Sequence, residues 1–427
     1  MAKRRGCFLR LLMWALILLI GSALVAAFLP LTPLKASVEA RLSDSLGRKV
    51  TIDSLHLSLA NGFTFAITGM TAQENQSFGD GVFLRADDVR AGFDVVEFLR
   101  KRRVVLKSLT IGSPRIQLVK NVEGQWNWTT LGEQPAQRSG AAATFLRSAN
   151  ALSIVAILLS SDSSGAKLKE IRIENASVRV VDRSRPQSPD ALYKNISLSA
   201  SLAPSSPESG DTDVKGELTA RSEEDGEAEL LKATLPFDLK IQSQRTGLTV
   251  GGSVGAGPFE TRNLSVESFA IAGRIASPTD APLSGDGRIT ATNMFLPTIN
   301  LSQKVAEALK ITQIGNMEAG SSIASLETAF RLSKDTVSTT GLRLQQVDGL
   351  GDATAQSGSF KIEAALTVNY AANVNLSAEA TARVKSASTI LGMLTTIFET
   401  NNRISVPVNI IGDVRHPQIQ VDVSRIF

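Results

Sequence analysis

Residues 237–254 read FDLKIQSQRTGLTVGGSV, and the pattern of this stretch indicates the fold class of the chain. Phe237, Leu239 and Ile241 alternate with charged and amide side chains, and the same period of two returns from Leu248 onward. This period is typical of a β-strand that has one apolar and one polar face. The stretch therefore predicts strands of a sheet with two unlike faces.

The same alternation recurs from residue 48 to the end of the chain. It is found at 50–52, 55–59, 63–67, 84–93, 109–111, 116–118, 171–173, 178–180, 196–198, 264–271, 330–332, 342–344, 360–368, 374–378, 404–410 and 419–423. A change of parity after Ile52 suggests a β-bulge near Asp53. Aromatic residues make up only 5% of the chain, so Val, Ile, Leu and Ala supply the apolar faces. We therefore expect a mainly β fold: an elongated, curved antiparallel sheet whose apolar face lines a groove.

Few helices interrupt the strand pattern. Leu34 to Leu46 shows apolar residues every four positions and ends at Gly47, which is a common helix stop. Helices are also predicted at 300–311, where Asn300 and Gln303 have capping-box spacing, and at 387–399.

A polar linker at 132–142 precedes an apolar stretch that is also predicted to be helical, 145–159. This stretch is too short for a second membrane span. It is either a docked core helix or an element that covers a groove or lies on a membrane surface.

Composition excludes several classes of function. Lys3, Arg4, Arg5 and Arg10 account for the net charge of +4, so the rest of the chain is balanced and has no basic surface for nucleic acid. The single cysteine, Cys7, cannot form an intrachain disulfide or a thiolate metal cluster. The two histidines offer little for acid–base or zinc chemistry. We therefore expect no cofactor, no metal and no enzymatic activity.

The N-terminal segment predicts export of the body of the chain. Leu11–Leu29 contains no charge, and its 19 residues span about 28 Å as a helix, close to the thickness of a bilayer core. The positive charges before it are expected to keep the start of the chain in the cytoplasm. A cleavable signal peptide, cut after the small residues at 25–27, is the alternative.

Three short motifs have structural explanations. Residues 251–255 match the G-x-S-x-G pattern of a nucleophile elbow, but they lie within a strand pattern and more simply mark a bent strand. Trp126 and Trp128 are expected to share one face of a strand. A basic run either faces solvent or contacts anionic lipid headgroups; its members are Arg100, Lys101, Arg102 and Arg103.

Several short stretches recur in a characteristic order along the chain: LGRKVTI at 46–52, FDV at 93–95, LTI at 109–111, KNVEGQWNW at 120–128, LKEIRIENA at 168–176, VVDR at 180–183, ISVPV at 404–408 and IIGD at 410–413. In these stretches and in their order, the chain resembles the AsmA-like family of bacterial envelope proteins. The resemblance implies a periplasmic β-groove of taco-like cross-section, anchored in the inner membrane and involved in phospholipid movement toward the outer membrane. It divides the chain into a stub and anchor (1–32), an N-terminal β domain (33–131), a linker with the apolar helix (132–166) and a β-groove (167–427).

Phospholipids are the expected ligands, because exposing an acyl chain of about 15 methylenes to water costs on the order of 12 kcal/mol. Further copies of the chain or other envelope proteins are alternative partners. The residues expected to line the groove are Ile171, Ile173, Val178, Val180, Leu239, Ile241, Phe269, Ile271, Ile362, Leu366, Val406 and Val408.

Two other functions remain open at this point. One is a periplasmic assembly or tethering factor whose strands close over their own core. The other is an all-β hydrolase that uses paired carboxylates such as Asp87 and Asp88, or Glu223 and Glu224.

Overall fold

The structure is a computed structural model, and it describes most of the chain from residue 32 onward. The described residues are 32–58, 63–94, 106–132, 168–184, 189–205, 211–225, 228–244, 247–278, 281–308, 320–333, 336–348, 350–362, 366–387, 399–400, 403–413 and 418–422. Three predicted features lie outside them: the apolar segment Leu11–Leu29, the basic run at 100–103 and the apolar stretch at 145–159. Within the described ranges, no helix has the length and apolar character needed to cross a bilayer.

The described residues form one large mixed sheet of 19 strands with few helices, which confirms the mainly β prediction. The strands are β1 (Val50–Ser58), β2 (Phe63–Gln73), β3 (Val82–Phe93), β4 (Leu106–Gly112), β5 (Arg115–Lys120), β6 (Glu170–Asp182), β7 (Ala191–Pro204), β8 (Asp211–Ser222), β9 (Leu231–Gln244), β10 (Gly247–Thr261), β11 (Leu264–Pro278), β12 (Ser284–Leu296), β13 (Ser321–Ser333), β14 (Thr336–Val347), β15 (Gly351–Ile362), β16 (Leu366–Leu376), β17 (Glu399–Thr400), β18 (Arg403–Asp413) and β19 (Gln418–Val421). The helices are α1 (Thr32–Leu46), α2 (Leu301–Ala308) and α3 (Ala378–Ala387).

Most strands pair antiparallel with the next strand in the chain, but the prediction of a wholly antiparallel sheet was wrong. β4 and β5 lie end to end between β3 and β6, and both run parallel to β6. Ser113 (φ 46°) and Pro114 form the break between them. A parallel neighbour requires a long crossover connection, and here that connection comprises residues 121–169. Side-chain alternation reports strand faces rather than strand direction, so the sequence could not show this.

This parallel pairing joins two predicted domains in one sheet. β4 and β5 belong to the segment 33–131, and β6 belongs to the segment 167–427. The backbone hydrogen bonding therefore continues across the boundary predicted between them, while the division itself stays a prediction.

Helix α1 confirms the predicted amphipathic helix and closes one edge of the sheet. It ends before Gly47 (φ 63°), the left-handed conformation that suits glycine at a helix end. Its residues Val38, Leu42 and Leu46 pack on a buried cluster formed by β1, β2 and β3. Since α1 packs beside β1, the free edge of this strand meets the helix.

The polar side of α1 bonds to the backbone of the β1 edge. The Ile52 N–H donates to Glu39 Oε1 (2.7 Å), and the Val50 N–H donates to Ser43 Oγ (2.9 Å). Lys35 Nζ donates to the Asp53 carbonyl (3.3 Å). Open strand edges are templates for pairing with another chain. The side chains of α1 occupy backbone groups on the open edge of β1 that such a chain would use.

Helix α2 shows that the C-terminal part of the sheet is curved. The helix follows β12 in the chain but packs against β19, and β13, β14, β15, β16 and β18 lie between those two strands in the pairing order. In a flat sheet this interval would measure about 29 Å. The predicted cap is confirmed, because the Gln303 N–H donates to Asn300 Oδ1 (2.7 Å). The Gln303 side-chain amide donates to Glu307 Oε1 (2.9 Å) one turn further along the helix.

Helix α3 begins where the sequence pattern predicted continued strand. β16 ends at Leu376, and Ser377 caps the helix by accepting a hydrogen bond from the Ala380 N–H (3.2 Å). Of the helix predicted at 387–399, residues 388–398 lie outside the described residues.

Candidate functional site

One face of the sheet is apolar from β7 to β19. Residues that pair directly on neighbouring strands point to the same face, so an unbroken row of pairs can be followed across the sheet. That row consists of Leu202, Val214, Leu239, Gly252, Gly273, Gly287, Phe330, Thr339, Gly358, Tyr370, Ile410 and Ile419. We call the side to which this row points the apolar face.

The register places the predicted groove residues on the apolar face. Leu239 belongs to the row itself, and Phe269, Ile271, Ile241, Val406 and Val408 have the same parity on their strands. Ile362 and Leu366 pair with each other at the ends of β15 and β16, again with the parity of that face. The structure therefore brings together on one surface residues that are far apart in the sequence.

Strand β6 joins the apolar face despite a change of parity. Ile171 and Ile173 are odd-numbered, whereas Val178 and Val180 are even-numbered, and Asn175 between them is left-handed (φ 54°). Asparagine tolerates this conformation better than most residues. The pairing with β7 shifts at this point and then resumes, so both pairs of residues point to the same side.

Strands β1 and β2 show a similar change of parity without an inserted residue. Val50, Ile52 and Leu55 are all buried in one cluster with Met70 of β2. The register between the two strands is continuous, so the predicted bulge near Asp53 was wrong. Gly69, opposite Asp53, is left-handed (φ 65°) and accounts for the change.

The apolar face is buried at both ends of the sheet, and its middle combines a buried cluster with partly exposed residues. At the C-terminal end, all five apolar-face residues of β16 after Leu366 are below 9% exposure: Val368, Tyr370, Ala372, Val374 and Leu376. They belong to a cluster that includes Ala306 of α2 and Ala380 of α3. In the middle, Ala200, Leu202, Val214 and Ile241 form a buried cluster, whereas Val250 and Ile271 are half-buried and Ile275 is 37% exposed.

The polar side chains within the apolar face are bonded inside the sheet. Thr339 Oγ1 donates to Tyr370 Oη across β15 (2.8 Å). Thr328 Oγ1 lies 3.3 Å from the Thr340 carbonyl. These buried hydroxyl groups are satisfied within the sheet, as buried polar groups usually are.

The opposite face of the sheet is charged, as the sequence predicted. Lys215 Nζ lies 2.7 Å from Asp238 Oδ2, and Arg288 Nη1 lies 2.9 Å from Glu327 Oε1 on the next strand. Such exposed pairs contribute little to stability, but they keep this face in water. The two faces therefore differ in chemistry along the length of the sheet.

A buried polar network lies at the start of β1, and sequence reasoning did not find it. Arg48 forms an ion pair with Glu74, donates to the Asn127 carbonyl (2.5 Å) and stacks over Phe83 at 4.2 Å. Asn127 Nδ2 in turn donates to Glu74 Oε2 and to the Gln117 carbonyl. In the sequence, Arg48 is simply an arginine between an amphipathic helix and a strand. An arginine in that position is ordinarily exposed to solvent, so the pattern does not indicate a buried network.

Two motif interpretations can be compared with the structure. Residues 251–255 lie inside β10, which agrees with a bent strand rather than a nucleophile elbow. The prediction that Trp126 and Trp128 share a strand face was wrong, because Trp126 forms only an isolated bridge and 127–130 is a 3-10 turn. Buried Asn127 lies between them and fixes this turn.

The paired carboxylates point to structural roles. Asp87 pairs with Arg115 (3.1 Å), and Asp88 pairs with Arg90 (2.7 Å). Glu223 and Glu224 are exposed beside the end of β8. In the described ranges, no three His, Cys, Asp or Glu side chains are grouped as a metal site would require.

Comparison with known proteins adds no identification. The chain matches no family model, and no curated protein matches it significantly.

Proposed function

We propose that this chain is a non-enzymatic envelope protein that binds phospholipid acyl chains along its apolar face. The face forms the floor of an elongated trough, and lipid headgroups stay in water at its rims. The observation that supports the proposal most directly is a continuous apolar face on which Val250, Ile271 and Ile275 stay partly exposed between buried clusters. A contiguous exposed apolar patch usually marks a binding site.

Hydrocarbon transfer supplies the physical reason for such a trough. An acyl chain of about 15 methylenes gains on the order of 12 kcal/mol when it leaves water for an apolar surface that encloses it. The sheet has 17 strand positions side by side, because β4 and β5 share one position and β17 only flanks β18. At ~4.8 Å per spacing this gives about 77 Å along the sheet.

The N-terminal features give the proposal an orientation. Helix α1 lies against β1, and the apolar segment Leu11–Leu29 precedes α1 in the chain. In the proposal this segment anchors the protein in the inner membrane, and the β1 end of the trough lies nearest to the bilayer. The resemblance to the AsmA-like family supports a periplasmic location and a role in outer-membrane lipid homeostasis.

Neighbouring substitutions on the two faces test the proposal. Ile271 is half-buried on the apolar face, and the next residue, Ala272, is exposed on the charged face. We expect Ile271→Asp to remain folded but to lose phospholipid, measured by lipid mass spectrometry after detergent-free purification. The matched control, Ala272→Asp, should retain both fold and lipid.

A third variant separates the trough from a closed core. Val374 lies in the packed C-terminal end at 8% exposure, so Val374→Asp should unfold the protein because it buries a charge. If Ile271→Asp unfolds to the same extent, the middle of the face is packed as well, and a tethering scaffold becomes the better explanation. Absence of phospholipid from the wild-type protein, together with no transfer between vesicles, would reject the proposal.

A further inference from the structure

Aromatic residues on the apolar face are paired with glycines. Three of them lie directly opposite a glycine on the preceding strand, in register. The pairs are Phe237 with Gly216, Phe330 with Gly287, and Tyr370 with Gly358. The pairs lie on β8 and β9, on β12 and β13, and on β15 and β16.

Each aromatic ring occupies the space where the side chain of its paired glycine would begin. A Cβ atom built on Gly216 would lie 2.6 Å from Cζ of Phe237, and one built on Gly287 would lie 2.7 Å from Cε1 of Phe330. At Gly358, the three atoms nearest to such a Cβ all belong to the Tyr370 ring. The rings therefore extend sideways over the neighbouring strand instead of standing upright on the sheet.

The Tyr370 hydroxyl confirms this sideways orientation. Tyr370 is on β16, and its hydroxyl meets Thr339 on β14, so the ring crosses the whole of β15 at Gly358. Covering a glycine with an aromatic ring from the next strand is a known way to stabilise a sheet. Here it also lowers the height of the largest side chains above the apolar face.

We infer that Phe237 and Phe330 set the depth of the trough and thereby select the cross-section of the hydrocarbon it holds. This inference rests on the proposed function. Both rings are half-buried. Phe237 packs against the buried cluster of Ala200, Leu202, Val214 and Ile241, and a guest chain would lie against the exposed part of each ring. Tyr370 is 5% exposed in the packed end, so its ring is structural.

A competition between two lipids tests the inference. The purified protein is incubated with vesicles that contain equal amounts of dipalmitoyl and diphytanoyl phosphatidylcholine, which differ in methyl branching, and the bound lipids are quantified by mass spectrometry. We expect Phe237→Ala and Phe330→Ala to raise the bound ratio of branched to straight chains about tenfold, since one methyl group changes the selectivity of an apolar pocket by about that factor.

Phe65→Ala is the matched control. Phe65 is also half-buried, but it packs edge-on against Phe93 at 5.3 Å in the N-terminal part of the sheet. It should leave the ratio unchanged. An equal shift in this control, or no shift in the two test variants while the wild type binds lipid, overturns the inference and leaves the proposed function standing.

Two further outcomes are decisive. If the wild type binds neither lipid, the proposed function falls and the inference falls with it. Where an alanine variant does not fold, as judged by circular dichroism, Phe237→Leu and Phe330→Leu replace it, because they remove less volume. If the leucine variants also unfold, the rings are packed core rather than trough floor, and the inference is overturned.

Discussion

Replacing Arg48 with methionine should destabilise the N-terminal end of the sheet strongly. The side chains of Arg48 and Glu74 are 1% and 4% exposed, so the ion pair between them is shielded from water. Methionine has a similar length and keeps the contact with Phe83, but it leaves the Glu74 carboxylate buried without its cation. Removing one partner of a buried pair costs about 3–5 kcal/mol.

A double variant tests whether the loss comes from the orphaned charge. Burial lowers the pKa of Arg48, and the neighbouring Glu74 carboxylate offsets only part of that decrease. Desolvation commonly offsets the attraction within a buried ion pair, so replacing both partners with apolar residues is often neutral or stabilising. We expect Arg48→Met with Glu74→Leu to be more stable than Arg48→Met alone.

Urea unfolding followed by tryptophan fluorescence provides the measurement. Trp126 and Trp128 flank Asn127, which is bonded to both members of the pair, so their emission reports on this end of the sheet. The free energy of unfolding follows from linear extrapolation. A loss below about 1 kcal/mol for Arg48→Met, or a double variant less stable than the single one, would refute the reasoning.

Two further predictions concern the tyrosines and the helix at the sheet edge. Burial raises the pKa of Tyr193 and of Tyr370, the only two tyrosines of the chain. Their contribution to the free energy of unfolding is therefore complete below pH 10.0 and is lost as the pH rises through the higher pKa values of the folded state. Phenolate absorbance should rise at higher pH in the folded protein than in concentrated urea, and coincident curves would contradict this. Glu39→Ala should cost about 1–3 kcal/mol because the N–H of Ile52 loses its acceptor. The freed edge of β1 should also shift elution in size-exclusion chromatography toward larger species, whereas the control variant of an exposed residue, Arg41→Ala, should elute with the wild type.

The sequence predicted the strands well because their pattern has a direct physical cause. A strand with one face in water must alternate polar and apolar residues, and the segment 237–241 does so without exception. Helix α1 and its glycine stop were predictable for a similar reason, since four-residue spacing reports the buried side of a helix. The predicted groove residues share one face because every one of them was chosen by this alternation.

Features that depend on tertiary contacts could not be predicted in this way. The parallel pairing of β6 depends on where a long connection returns to the sheet. The alternation of apolar and polar residues does not specify that position. The parity change at Asn175 requires a left-handed backbone conformation. Asparagine adopts this conformation more readily than most residues, but an asparagine in the sequence does not by itself predict it. Arg48 is buried only because a turn more than 70 residues later places Asn127 against it.

The distribution of helices accounts for much of the burial at the two ends of the apolar face. A sheet buries its apolar face against another layer or, where it is strongly curved, against itself. Among the described residues, α1 supplies that layer at β1 to β3, while α2 and α3 supply it at β15 to β19. At its start α2 also meets β13, where the Leu301 N–H donates to Ser321 Oγ (2.6 Å). Strands β7 to β9 carry the buried cluster of Ala200, Leu202, Val214 and Ile241, whereas Val250, Ile271 and Ile275 on β10 and β11 stay partly exposed. In the proposed function the hydrocarbon guest covers this partly exposed part of the face.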